Sequence, residues 1–101
     1  MLNLQTTTKY EKDLKKLQKK NQDLSRLYEA IELLKSRIKL PDSYRDHALS
    51  NSGSFKGQRG CHIAPNCVLI YEIEKNLKIK LNQIGSHNHI YEQRHKRAVL
   101  K

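Results

Sequence analysis

The hydrophobic pattern changes period at Leu40-Pro41, and this switch confines the chain to a helical half followed by a sheet half. Before it, apolar residues recur every three or four positions. Tyr10, Leu14 and Leu17 fall on one side of a helix starting near Lys9, with Lys12, Lys16 and Lys19 on the opposite side. Thr6, Thr7 and Thr8 offer hydroxyls to cap its first turn. Asn21-Gln22-Asp23 interrupts the pattern. Leu24, Leu27, Ile31, Leu34 and Ile38 then predict a second helix, stopped by Leu40-Pro41. The short break between them predicts an antiparallel helical hairpin. Ahead of both, the alternation from Leu2 to Gln5 fits a short opening strand.

Beyond the switch, residues 42–54 are polar and irregular, with Ser50-Asn51-Ser52-Gly53 as a tight loop. From Phe55 onward the period is two. A two-residue turn centred on Pro65-Asn66 pairs Ile63 with Val68 and His62 with Leu69. Cys61, Ile63, Val68 and Ile70 then face the helices, and His62 points away. Leu77, Ile79 and Leu81 alternate with Lys78, Lys80 and Asn82, giving one apolar and one cationic face. The expected fold class is α+β: two N-terminal helices packed on one face of a small antiparallel sheet. A chain of 101 residues fits one domain, 1–101, with 88–101 as a basic tail that is either a short helix or disordered.

Twenty Lys and Arg stand against ten Asp and Glu, a formal charge of +10. Such an imbalance predicts a polyanionic partner, nucleic acid first, with an acidic protein or membrane surface behind it. Nothing at the N-terminus reads as a signal peptide, and the longest apolar run, 67–71, is far too short to span a bilayer. The expectation is a soluble cytoplasmic protein with no membrane partner and with Cys61 and Cys67 reduced.

Residues 56–71 carry the chemistry. Lys56, Arg59 and His62 lie on one strand-like run, and cations beside a histidine suit phosphodiester cleavage. Cutting RNA without a metal needs a base for the 2′-OH, an acid for the leaving 5′-oxygen, and positive charge on the transition state. His47, His62 and His87, with Arg59, Lys56 and Lys80, are the candidates; His89 and His95 lie in the basic tail. A histidine in a basic protein is ordinarily solvated or capping, and a lysine-rich helix is ordinarily a solvated face, so neither assigns a function alone. Tyr71 reads as half core, and Tyr91 as an exposed ring able to stack on a base. Cys61, His62, Cys67, His87 and His89 are soft ligands, but their spacings are not those of a zinc ribbon or finger. Neither a metal nor another cofactor is expected, and no Gly-rich phosphate loop or paired-carboxylate motif is present.

The same residues resemble the YafQ branch of the RelE-like toxins of bacterial toxin–antitoxin pairs. The resemblance runs through Leu40-Pro41 and Tyr44-Arg45-Asp46-His47-Ala48-Leu49, which looks like that branch's Y-K-D-H-x-L. It continues through Lys56-Gly57-x-Arg59, His62-Ile63-x-Pro65 and Leu69-Ile70-Tyr71 to Gly85-Ser86-His87. It implies an endonuclease that cleaves mRNA on the translating ribosome and is held inactive by a co-expressed antitoxin, with operator DNA met only through that antitoxin. It carries the family's histidines onto His47, His62 and His87, and its C-terminal aromatic onto Tyr91. His87 is then expected as general acid and His62 or His47 as general base. Arg59, Lys56 and Lys80 are expected to stabilise charge, and Lys12, Lys16 and Lys19 to contact ribosomal RNA. Two positions depart: Asn66 stands where the family commonly has an acid, and Gln83 where it commonly has Arg. Cys67 also replaces a bulkier residue. A member that binds antitoxin or RNA without cutting is the alternative.

Overall fold

The structure, a computed structural model, describes residues 2–49, 57–75, 77–86 and Ile90. Its elements are β1 (Asn3–Thr6), α1 (Thr8–Lys19), α2 (Ser25–Lys35), a 3₁₀ turn (Asp42–Tyr44), β2 (His47–Ala48), β3 (Arg59–Ala64), β4 (Cys67–Glu74) and β5 (Lys78–Ser86). The five strands form one sheet in the order β1-β5-β4-β3-β2. This is the expected α+β class, with one difference. The sheet is mixed, because β1 runs parallel to β5, pairing Asn3 with Lys78 and Thr6 with Leu81. A parallel pair needs a long connection, and both helices and three strands lie between these two.

Thr7 caps α1: its Oγ1 accepts from the Tyr10 amide at 3.0 Å and donates to the Asn82 carbonyl at 2.7 Å. Each helix ends on a left-handed residue, Asn21 (φ 56°) after α1 and Arg37 (φ 61°) after α2. In both, the next two amides turn back onto the last-turn carbonyls, Asn21 to Gln18 and Gln22 to Leu17, Arg37 to Leu34 and Ile38 to Leu33. That reversal removes Ile38 from the helical stripe on which it was expected and leaves it 53% exposed.

Leu27, Ala30, Ile31 and Leu34 of α2 and Tyr10 of α1 pack on Cys61, Ile63, Leu69, Tyr71, Ile79, Leu81 and Ile84 of the sheet. Tyr71, expected as half core, is fully buried. The other face carries a smaller apolar cluster of Val68, Ile70 and Ile90, with Leu49 against it. The expected β3–β4 register is therefore corrected. Ala64 does pair with Cys67, but the register then shifts, so that His62 faces Val68 and Cys61 faces Leu69. A bulge at Ile63 supplies the extra residue, and a one-residue slip exchanges faces. Val68 and Ile70 thus lie on the face away from the helices, and Leu69 and Tyr71 take their place. Leu77 precedes β5 and is 66% exposed rather than part of its apolar face. The expected loop at 50–53, the strand start at Phe55 and most of the 88–101 tail lie outside the described residues.

Candidate active site

Strand pairing brings two of the candidate histidines to one face. His47 of β2 lies opposite Gly60 of β3, and His62 follows Gly60 by two positions, so both side chains point away from the helices. Two residues of strand span about 7 Å. This is the spacing at which one substrate can meet both rings. His47 is exposed, and its Nδ1 lies 2.8 Å from the carbonyl oxygen of Arg45. A carbonyl only accepts, so the Nδ1–H donates, and the Nε2 of the neutral ring is left as the acceptor. Arg45 makes this possible by taking a left-handed conformation (φ 49°), which turns its carbonyl back toward His47. His62 is half-buried at the head of the β3–β4 turn.

Arg59 does not join them. It pairs with Tyr71 across the β3–β4 ladder, so it lies on the helix side. There its Nε donates to Asp46 Oδ1 at 3.3 Å and its Nη2 to Asp46 Oδ2 at 3.1 Å. The Tyr71 hydroxyl donates to Asp46 Oδ1 at 2.5 Å. The paired Asp46 carboxylate raises the Arg59 pKa and, behind burial, that of Tyr71. Sequence reading gave Asp46 no role, although it stands directly before His47. Its neighbours on β3 and β4 show that it ties the His47 backbone to the centre of the sheet.

Lys80 shares the histidine face but sits across from Glu72, with its Nζ 4.0 Å from Glu74. Two strands and four positions separate it from His62, about 16 Å. Lys12, Lys16 and Lys19 are exposed on α1. Gln83 faces Ile70 on the histidine face. It lines a cleft of about 300 Å³ with Lys16, Lys20, Gly85 and Ile90, so lysine charge lies near the position where the family commonly has Arg. Lys56, His87 and Tyr91 lie outside the described residues, as do His89 and His95.

A larger cleft, about 540 Å³, opens along β3 beyond the stretch that β2 covers. It is lined by Arg26, Ser43, Arg45, His62, Asn66 and the Ala64-Pro65 turn. Arg26 stacks its guanidinium 4.2 Å from the centroid of the Tyr44 ring and donates to Ser43 Oγ at 3.2 Å. Sequence reading missed Arg26, because its place on a helix gives no sign that it reaches the β3 edge.

Cys61 and Cys67 are buried, and burial raises both thiols, Cys61 to about 12. Among the described residues, no three His, Cys, Asp or Glu side chains are grouped to hold a metal ion, and no helix is long and apolar enough to cross a membrane.

Comparison with known proteins decides the family. The family described as "Bacterial toxin of type II toxin-antitoxin system, YafQ" matches residues 2–92. The chain belongs to the YafQ toxin family. It is 37% identical to the mRNA interferase toxin YafQ of Escherichia coli K12 over 79 residues, 77% of this chain and 83% of that one. Among solved structures, the YafQ toxin in the E. coli DinJ–YafQ toxin–antitoxin complex superposes with a TM-score of 0.78 at 31% identity, covering 89% of this chain and 97% of that one. A metal-bound toxin from Helicobacter pylori gives a TM-score of 0.78 at 36% identity, covering 88% and 98%.

Proposed function

We propose that this YafQ family member is an endoribonuclease toxin that cleaves mRNA on the translating ribosome by histidine acid–base catalysis and is neutralised by an antitoxin. The observation that carries the reading is the common face of His47 and His62, with His47 held so that Nε2 is its free acceptor. His47 Nε2, or His62, takes the proton from the 2′-hydroxyl as that oxygen attacks the adjacent phosphorus. A second histidine, assigned to His87 from the family resemblance, returns a proton to the departing 5′-oxygen. Charge on the phosphorane-like transition state is met by nearby cations. Arg59 is engaged by Asp46, so Lys56, assigned from the family resemblance, is the better source of this charge. The lysines of α1 contact ribosomal RNA. The name of the E. coli K12 relative, an mRNA interferase, supports the activity, and the DinJ complex supports an antitoxin partner. Purified protein added to a translating extract should cut reporter mRNA, and His87→Ala should abolish cutting. Intact mRNA with the unaltered protein would overturn the reading.

Asn66 and Gln83 favour a second reading. Neither amide exchanges a proton or carries charge, and Asn66 lines the same cleft as His62. A member that binds antitoxin or RNA without cutting would have such a site. Growth arrest on expression, relieved by His47→Ala or His87→Ala, separates the two.

A further inference from the structure

We propose that the cleft along β3 is a binding subsite for the RNA nucleotide flanking the scissile phosphate, with the flanking phosphate held between Arg26 and Arg45. The inference rests on the reading of His62 as part of an RNA-cleaving face, and it names where the neighbouring nucleotide goes.

Four observations carry it. The cleft, about 540 Å³, has room for a nucleotide and is continuous with His62. Among the described residues its lining carries the guanidinium groups of Arg26 and Arg45 and no carboxylate, so this lining is cationic. The Arg26 guanidinium is already fixed, stacked on Tyr44 and bonded through one nitrogen to Ser43, which leaves its other N–H groups to donate. A pre-ordered planar fork matches a phosphate better than a mobile ammonium does, and loses less freedom on binding. Finally, β2 covers only Arg59 and Gly60 of β3, so among the described residues no strand covers the cleft side from Cys61 onward.

Asn66 fits this role. At the rim of the cleft its amide both donates and accepts, which suits the edge of a base and not proton transfer. In this chain the position therefore contributes to which nucleotide is accepted, not to the proton relay. Among the described residues, the cleft joins these polar groups to the apolar side chains of Ala64 and Pro65, a mixed lining that suits a base and its phosphate.

The test is equilibrium binding to a mixed-sequence RNA heptanucleotide, 2′-O-methylated throughout so that it cannot be cut, alongside the corresponding dinucleotide. Arg26→Gln and Arg45→Gln should each weaken heptanucleotide binding roughly tenfold and reduce the salt slope of log K by about 0.7. Lys75→Gln, in the turn between β4 and β5 at the far end of the hairpin from the cleft, removes the same charge elsewhere and should leave the affinity within about twofold, since a surface charge far from the contact acts weakly through salt. Arg26→Lys should recover only part of the loss. Heptanucleotide binding by both arginine variants equal to that of the unaltered protein would overturn the subsite. Failure of cleavage is a separate result: arginine-dependent binding without cutting keeps the subsite and removes the catalytic reading. Cutting with an unchanged KM in Arg26→Gln and Arg45→Gln keeps the catalytic reading and removes the subsite.

Discussion

The Tyr71 hydroxyl donates to Asp46 Oδ1 across 2.5 Å, joining the middle of β4 to the residue directly before His47. The same carboxylate accepts two bonds from Arg59. One side chain thus anchors the short β2 edge strand to a buried tyrosine. Asp46→Ala would leave the Tyr71 hydroxyl buried and unpaired, at a cost of about 2 kcal/mol. Thermal unfolding should show the loss, with Tyr71→Phe, which removes one bond and keeps the ring, costing less. An unchanged Tm in Asp46→Ala would mean that water replaces the carboxylate freely.

Thr7 acts at two levels, as the cap of α1 and as a link from its start to the Asn82 carbonyl of β5. Asn82 is the residue skipped where the β4–β5 register shifts, between the Ile70–Gln83 and Tyr71–Leu81 pairs. The cap and the strand irregularity therefore hold each other. Thr7→Ala should cost ~1–2 kcal/mol in chemical denaturation, and Thr7→Ser, which keeps both bonds, should recover most of it.

The division into helices and sheet, the α1 cap and the orientation of His62 were all legible in the sequence. Each is written in local chemistry: period, hydroxyls before an apolar run, alternation. What was not legible depends on backbone irregularity or on long-range pairing. The bulge at Ile63 moves Val68 and Ile70 to the other face, and no residue type announces it. Arg59 looks like a companion of His62 because they are three residues apart, yet an odd separation on a strand sends them to opposite faces. Arg26 and Asp46 take their roles from partners 17 and 25 residues away, Ser43 and Tyr71. Ile38 continues a helical stripe in sequence, but Arg37 in the left-handed region ends the helix first.

Burial fixes the alkaline behaviour. Cys61 rises from 9.0 to about 12 and Tyr10 from 10.0 to about 12 in the folded protein, both chiefly through burial. Each holds its proton in the folded state at a pH where the unfolded chain has released it. The unfolded state then binds fewer protons, so stability falls as pH rises. It should be level below about pH 9 and decline between about pH 9 and 12 in denaturant titrations. Iodoacetamide at pH 8 should leave Cys61 and Cys67 unmodified in the folded protein while labelling both in the unfolded chain. Rapid labelling of the folded protein would contradict their placement.

Ile79, the second residue of β5, is fully buried in the core where the helices pack on the sheet. Ile79→Ala should destabilise the protein by ~2–5 kcal/mol through lost burial and the cavity left behind. The exposed His47→Ala should unfold at the temperature of the unaltered protein, so any loss of activity in that variant is chemical.

The pairing of His47 and His62 on one face is tested most directly by mapping reporter-mRNA cleavage sites by primer extension in a translating extract, with the unaltered protein, His47→Ala and His62→Ala. Discrete cuts are expected with the unaltered protein, and a rate at least about 100-fold lower in each variant. Folding of both variants should be intact by circular dichroism. Equal cutting by all three proteins would contradict it.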